Sequence, residues 1–414
     1  MRFKLWAGLL LPTLALSLTP KEAVELALKN NPSLAAYREG IGAAENALRA
    51  QVAARFGELS LLWNYNQYKF ARVVAPISSF PLLRDDQVRI YGFQYRVRLF
   101  DGCGQLFLIR AKAAEAELAR LDYERAAREL ARLVKEAYFD YLKARARLLA
   151  LQKRLEATEK LLEVVKTGYE TGKFPLVDLL QVRAELEAVR GQEAALSARL
   201  RATLERLKRL LGVEKLPSLP QKVEVKPAPV EAQRLLPDLL RANPELRLVR
   251  GRERAAREYR RAAFTDFLPK VDFVYQNLTY SYDGTKTRDW SYAITASMPL
   301  FDFGRRYFTY RRALHEEKKV RLTEAETKNA VLESFYSLVA GLNAQLEIIK
   351  AAAEKLRHAE RAYEVEKTRY EAGKGSVYDL LKAQALYFDA LAEREEALYE
   401  WAKLKAALDY LLGR

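Results

Sequence analysis

The stretch YETGKFPLVDLL, residues 169–180, returns 201 positions later as YEAGKGSVYDLL at residues 370–381. Three other motifs recur in the same order: Leu99-Phe100-Asp101 as Leu300-Phe301-Asp302, Leu211-Gly212 as Leu412-Gly413 and, at an offset of 212, Asn31-Pro32 as Asn243-Pro244. Ordered repetition over such a distance is typical of an internal duplication. The sequence therefore predicts two structural repeats, residues 18–212 and 233–414, joined by a proline-rich linker at residues 213–232.

Each repeat shows the same predicted order of elements. A first helix (33–57; 244–265) precedes two strands, a very long helix (104–171; 304–372) and a returning helix (178–211; 379–412). In the long helices apolar side chains recur at alternating spacings of four and three residues, as in Leu130, Val134, Ala137 and Tyr141. This spacing favours coiled-coil packing, and a helix of about 68 residues is roughly 100 Å long.

The repeated phrase lies where each long helix turns back into its partner. Gly172 and Gly373 suit the left-handed residue that ends a helix. Asp178 and Asp379 suit the N-cap or first turn of the returning helix, near the positive end of its dipole. We therefore expect two helical hairpins, each with its tip at the repeated phrase.

Four strand-like segments, about 59–71, 89–100, 271–282 and 289–300, lie between the helices. Aromatic and polar residues alternate along several of them. The candidate residues for one aromatic, membrane-facing side are Trp63, Tyr65, Tyr91, Phe93, Tyr95, Trp290 and Tyr292. A soluble sheet with this side turned inward and an outer-membrane barrel both fit the pattern. In lipid, four strands must oligomerise to close: two copies give eight strands, and three give twelve.

The N-terminus and the composition indicate an exported protein. Arg2 and Lys4 precede an apolar run that ends before Ser17, which predicts a signal peptide over residues 1–17. No later apolar run is long enough for a transmembrane helix. The single cysteine, Cys103, rules out an intramolecular disulfide. The 70 Lys and Arg residues are interspersed with 54 Asp and Glu, giving a formal net charge of +16. Interspersed charges indicate solvated helix faces rather than a nucleic-acid surface.

No pattern in the sequence predicts an enzyme, a cofactor or a metal. The only histidines, His315 and His358, lie within long helices without a convincing set of further ligands. Gly102-Cys103-Gly104 follows a strand, but no third glycine completes a dinucleotide-binding motif. Gly373-Lys374-Gly375-Ser376 lacks the upstream glycine of a phosphate-binding loop.

Taken together, several motifs carry a resemblance to a known family. They are Thr-Pro-Lys-Glu-Ala-Val-Glu-Leu-Ala-Leu-Lys-Asn-Asn-Pro at 19–32, Leu-Phe-Asp-Gly at 99–102, the paired Tyr…Gly…Asp-Leu-Leu tips and the two Leu-Gly endings. Through these motifs and their internal duplication, almost the whole mature chain resembles the TolC family of outer-membrane efflux proteins.

The resemblance implies an α+β membrane protein that assembles as a homotrimer. Its 12-stranded β-barrel would lie in outer-membrane lipid, continue as a periplasmic α-helical barrel and place the linker in an equatorial region. Such a channel is a passive conduit of a tripartite efflux or type I secretion system. Its partners would be a periplasmic adaptor (membrane fusion) protein and an inner-membrane efflux pump or ABC transporter. No nucleic acid and no cofactor are implied.

The resemblance also assigns the hairpin tips to a periplasmic gate. The candidate gate residues are Tyr169, Gly172, Lys173, Asp178, Tyr370, Gly373, Lys374, Asp379 and Lys382. Asp178, Tyr370 and Asp379 match acidic and tyrosine positions of the family's gate. Gly375 stands where some relatives carry an arginine that links neighbouring helices. Lys374 and Lys382 reduce the negative charge of the ring of carboxylates that Asp379 would form. We expect the gate to rest closed, because polar residues at the tips are able to tie neighbouring helices.

Two other classes of protein are compatible with part of the pattern. A soluble periplasmic coiled-coil adaptor or scaffold explains the helices and the signal peptide, but not four amphipathic strands placed symmetrically between helices. A DNA-binding coiled-coil protein is suggested only by the positive charge, and the signal peptide and the missing basic cluster oppose it.

Overall fold

A computed structural model describes residues 18–73, 84–282 and 285–414. The predicted signal peptide, most of the link between the first two strands and residues 283–284 between the last two strands lie outside the described residues. The elements in chain order are α1 Pro20–Asn30, α2 Pro32–Ala53, β1 Glu58–Val73, β2 Arg84–Phe100, α3 Gly104–Glu170, α4 Leu176–Leu211, α5 Ala232–Ala242, α6 Pro244–Thr265, β3 Lys270–Tyr282, β4 Thr285–Ser297, α7 Arg305–Glu371 and α8 Val377–Leu411.

The four hairpin helices are confirmed to within two residues at each end, whereas some other predicted boundaries are wrong. β4 ends at Ser297, not at residue 300, and Pro299 lacks the backbone N–H that would continue a ladder. The first predicted helix ends at Ala53, before a single 3₁₀ turn. The short helices α1 and α5, which precede the prolines that begin α2 and α6, were not predicted from the sequence.

The described chain divides into two compact units, and each unit draws on both repeats. One unit contains the residues up to Ala36, Glu124–Pro244 and Asn329–Arg414. It holds both hairpin tips. The other unit contains Tyr37–Tyr123 and Glu245–Lys328 and holds the sheet.

In the first unit, the predicted coiled-coil positions form the core. The heptad residues buried on α3 and α7 include Leu130, Val134, Ala137, Tyr141, Leu148, Leu151, Val165, Val331, Phe335 and Leu342. The one polar heptad residue of α3, Thr158, is fully buried and accepts a hydrogen bond from Nε2 of Gln384, 2.9 Å away. A buried polar pair of this kind stabilises one register between the helices, because a slip would leave the buried amide group of Gln384 without its partners on α3.

The repeated Asn-Pro and Leu-Gly motifs meet in this unit. Nδ2 of Asn31 donates to the carbonyl oxygen of Leu210, and Nδ2 of Asn243 donates to that of Leu411, each over 2.9 Å. Both acceptors belong to the last turns of returning helices, which leave carbonyl groups without helical partners. The two motifs therefore serve one structural purpose, the capping of α4 and α8.

In the second unit, four antiparallel strands form one sheet in the order β1-β2-β3-β4. The register places Trp63 opposite Tyr91 and Tyr95 opposite Tyr275, which in turn lies opposite Tyr292. β1 and β4 each have one neighbour among the described strands, so they form the two edges of the sheet. Within the described residues, no helix combines the length and the apolar character that a membrane-spanning helix needs.

Candidate functional site

The two hairpin tips share one backbone turn. Gly172 and Gly373 have φ of +74° and +72°, and a Cβ atom at either position would meet no neighbour within 4 Å. The following lysine closes each turn: the N–H of Lys173 donates to the oxygen of Gly168 (2.7 Å), and that of Lys374 to the oxygen of Arg369 (2.8 Å). The prediction of left-handed glycines at both tips is confirmed, and backbone conformation rather than side-chain space requires glycine there.

Next to this shared turn, the two tips differ in where a further glycine stands: before the turn in the first tip and after it in the second. In the first tip Gly168 lies on the helix and Phe174 follows the turn; a Cβ atom at Gly168 would overlap the phenyl ring. At the equivalent positions of the second tip stand Arg369 and Gly375. A Cβ atom at Gly375 would lie 3.0 Å from the backbone nitrogen of Tyr370. Each tip therefore has one close approach, but only the first has an aromatic ring in it.

That aromatic ring connects the two hairpins. Phe174 stacks on Tyr370 of α7, with the ring centroids 5.1 Å apart and the planes 15° from parallel. The hydroxyl group of Tyr370 points to Oδ2 of Asp178 on α4, at 3.4 Å. This distance is long for an O–H···O hydrogen bond, which indicates that ring packing carries more of the contact than the hydroxyl group does.

Tyr370 is only 2% exposed and belongs to an apolar cluster at the tips. The other buried members are Val165, Leu179, Val182, Val377 and Leu380, from all four hairpin helices. Burial and the carboxylate of Asp178 raise the pKa of Tyr370 well above its usual value. The tyrosine is consequently uncharged over the physiological pH range.

Asp178 and Asp379 both lie in the first turn of a returning helix, as predicted. Neither is the N-cap: Pro175 and Ser376 occupy those positions, and the hydroxyl group of Ser376 accepts a hydrogen bond from the N–H of Tyr378. Asp178 is half-buried against Tyr370, whereas Asp379 is exposed.

The other predicted gate residues remain at the surface of the single chain. Tyr169, the equivalent of Tyr370, is 41% exposed. Lys374 and Lys382 are exposed, and Nζ of Lys173 lies 5.2 Å from the centroid of the Phe174 ring. The chain thus brings Asp178 and Tyr370 together, but it does not bring Tyr169 and Asp379 together. In the part of the chain that the structure describes, no cluster of His, Cys, Asp or Glu could hold a metal ion.

The predicted aromatic residues of the sheet share one face. Leu61, Phe93, Asn277 and Trp290 align across the four strands, and the neighbouring row is Leu59, Tyr95, Tyr275 and Tyr292. Trp63 is 67% exposed and Trp290 62% exposed. Trp290 also stacks on Tyr292, with centroids 6.3 Å apart. This face is largely apolar and aromatic, with Asn277 as a polar interruption, and an exposed face of this kind marks a surface that interacts with lipid or protein.

Three residues of the tips were not predicted from the sequence: Phe174, Gly168 and Arg369. Their signal is the glycine exchange between the two copies of the repeated phrase: where one copy has Gly…Phe, the other has Arg…Gly. Aligning the repeats position by position would have found a ring that only the first tip carries.

Comparison with known proteins identifies the family. A family model described as outer membrane efflux protein matches residues 23–213 and 235–414. The alkaline protease secretion protein AprF of Pseudomonas aeruginosa is 25% identical over 73% of this chain, and the outer membrane protein TolC of Escherichia coli is 24% identical over 66%. The matched regions cover only 65% and 60% of the lengths of those relatives.

Solved structures show the same fold at lower identity. The outer membrane channel CmeC of Campylobacter jejuni superposes with a TM-score of 0.83 at 18% identity, over 95% of this chain and 85% of that one. VceC of Vibrio cholerae gives a TM-score of 0.78 at 18% identity, over 95% and 96% of the two chains. Because the family model covers both repeats, the chain belongs to the outer membrane efflux protein family.

Proposed function

We propose that this chain forms the outer-membrane exit duct of a tripartite efflux or type I secretion system. The observation that carries the proposal is a sheet with one largely aromatic face and two edge strands without a further neighbour among the described strands, in a chain of this family. Two of the relatives are named for different exports: AprF for the secretion of an alkaline protease, and TtgF of Pseudomonas putida for toluene efflux. A passive conduit suits such varied cargo, and the family is one of channels rather than enzymes.

In the proposed assembly three copies close one barrel. Each copy contributes four strands, so a homotrimer has twelve and leaves no unpaired edge in lipid. Trp63, Tyr65, Phe93, Trp290 and Tyr292 then face outer-membrane lipid. The long hairpins extend into the periplasm as an α-helical barrel. In this scheme residues 1–17 are removed on export, and the repeats 18–212 and 233–414 each supply two strands and one hairpin.

The tips are the proposed periplasmic gate and the docking region for partners. Leu176, Val177 and Leu180 near the first tip expose about half of their side chains or more. This apolar surface suits a periplasmic adaptor protein, which would connect the duct to an inner-membrane efflux pump or ABC transporter. In the closed gate, Tyr370 remains packed against Phe174 and Asp178 of the neighbouring hairpin; opening separates them.

The alternative of a soluble periplasmic adaptor or scaffold is not favoured, because the matched family consists of outer membrane channels. The discriminating experiment is membrane fractionation of the mature protein, followed by its mass in detergent. We expect an outer-membrane protein that needs detergent and has the mass of a trimer. A water-soluble monomer would refute the proposed duct and favour the alternative of a soluble scaffold protein.

A further inference from the structure

The inner face of the sheet, which is the face opposite the aromatic side chains of Trp63 and Trp290, changes in character along the strands. Toward the end that joins the helices it is polar. Nε2 of Gln276 donates to Oε1 of Gln94 over 3.0 Å, and the hydroxyl group of Ser60 donates to the carbonyl oxygen of Gln94. Roughly 20 Å further along β2, the same face is apolar.

The apolar part of the inner face is a cluster around Val88. This side chain is only 3% exposed, and Tyr68, Ile90 and Tyr280 pack against it. Ile90 lies opposite Tyr280, in the row next to that of Trp63. Because side chains in successive rows point to opposite faces of a sheet, these four clustered residues form one patch on the inner face, the inner apolar patch.

In the proposed duct the inner apolar patch lines the lumen near its exit. The aromatic face is turned to lipid, so the inner face is turned to the channel, and the patch lies at the end of the strands far from the helices. The interior of a water-filled barrel is usually polar. Packing accounts for the buried Val88, but Tyr68, Ile90 and Tyr280 are only half-buried and present apolar surface to the lumen.

The surroundings of the patch add negative charge to this apolar surface. Asp289 of β4 pairs with Leu278, which makes it the diagonal neighbour of Tyr280, about 7–8 Å away in an antiparallel sheet. As far as the structure describes the inner-face rows that begin at Leu62, Asn64 and Asn66, they contain this one carboxylate and no Lys or Arg. Aromatic rings attract cations through their faces, and a carboxylate strengthens that attraction.

We propose that the inner apolar patch and Asp289 bind hydrophobic cations on their way out of the duct. The apolar body of such a solute lies against the rings of Tyr68 and Tyr280, and its charge lies near the carboxylate of Asp289. Binding is brief, because a conduit needs sites that solutes both enter and leave. This inference rests on the duct proposed above and names a class of cargo that its exit end retains.

The test is single-channel recording of the purified protein in planar lipid bilayers. Tetraphenylphosphonium, a cation with four aromatic rings, is added to each side in turn, and the mean duration of the current blockades is measured. From the extracellular side it reaches the patch without crossing the periplasmic tips. Tetramethylammonium carries the same charge without an apolar body. We expect its blockades to be roughly ten times shorter, since it lacks the contacts with the rings.

Three variants separate the ring, the hydroxyl group and the charge. Tyr280→Ser should shorten the tetraphenylphosphonium blockades about fivefold, whereas Tyr280→Phe keeps the ring and should keep them. Asp289→Asn should shorten them about threefold, as expected for a solvated pair of charges. Tyr275→Ser is the matched control, because it removes a tyrosine from the other face of the same strand and should leave the blockades unchanged.

Channels of Tyr280→Ser with unchanged blockades, or an equal effect of Tyr275→Ser, would overturn the site and leave the duct intact. If Tyr280→Ser forms no channels, Asp289→Asn decides, since this half-buried residue is at the edge strand and its amide keeps the size of the carboxylate. Unchanged blockades in Asp289→Asn would then overturn the proposal. Wild-type protein that forms no channels would overturn the duct itself, and the site with it.

Discussion

Truncation of Phe174 to alanine is expected to open the duct more than removal of the Tyr370 hydroxyl group. A fully buried phenylalanine costs about 3–5 kcal/mol when it is cut to alanine. Phe174 is half-buried and stacked on one ring, so we expect about 2 kcal/mol per copy from its loss. If opening separates Phe174 from Tyr370, this loss favours the open tip by about 30-fold per copy.

The substitution Tyr370→Phe keeps the stacked rings and removes only the hydroxyl group. Its oxygen lies 3.4 Å from the carboxylate of Asp178, which is half-buried and still reaches water. We therefore expect about 0.5 kcal/mol, or roughly a twofold change in the open population. Asp178→Ala should likewise raise the open population by only a small factor, since it removes the same long contact.

The assay is single-channel conductance of the purified protein in planar lipid bilayers, recorded at low voltage. The measured quantity is the fraction of time in the high-conductance state. Tyr378→Ala serves as the control, because this aromatic side chain is at the second tip but is exposed. A larger effect of Tyr370→Phe than of Phe174→Ala would refute the argument that ring packing closes the gate. Equal conductance of all variants would show that these hairpins do not separate.

Three further predictions concern pH, capping and the exchanged glycine. Because the closed tip raises the pKa of Tyr370, this side chain stabilises the closed state fully below the pKa of a hydrated tyrosine, about 10, and loses that effect as the pH rises further. Conductance should therefore increase above pH 10, and Tyr370→Phe should abolish that increase. Asn243→Ala should lower the free energy of unfolding by about 1–3 kcal/mol, since it strands a buried carbonyl group, and Asn31→Ala should cost less because Asn31 is less buried; thermal unfolding compares the two. Gly375→Phe should destabilise the second tip, and adding Arg369→Gly should recover much of the lost stability by recreating the arrangement of the first tip. Thermal unfolding measures both variants. A double variant that is no more stable than Gly375→Phe alone would refute this.

Sequence reasoning predicted those parts of the fold that each repeat determines by itself. The heptad spacing specified α3 and α7, and the left-handed glycines specified the tips, because both depend on local backbone and on contacts between adjacent helices. The short helices α1 and α5 were missed because each has only 11 residues and ends at an Asn-Pro step. Their stability comes from packing, which short apolar patterns do not reveal.

The candidate site shows a different kind of limit. Tyr169 and Tyr370 occupy equivalent positions in two similar phrases, yet one is exposed and the other is buried. Local sequence does not distinguish them, because burial depends on which neighbour each tyrosine meets. Tyr370 meets the first hairpin of its own chain, whereas Tyr169 is exposed in the single chain.

Because the two repeats differ in sequence, the contact between the two hairpins of one chain need not equal the corresponding contact between copies of the proposed assembly. If the two repeats were identical in sequence, the contacts within and between copies of the proposed trimer would be equal. Here Phe174 packs on Tyr370 within the chain, whereas Gly375 stands at the position of the second repeat that is equivalent to Phe174. In the proposed trimer the equivalent contact between copies would lack this ring, so we expect it to contribute less to closing the gate than the Phe174–Tyr370 contact does.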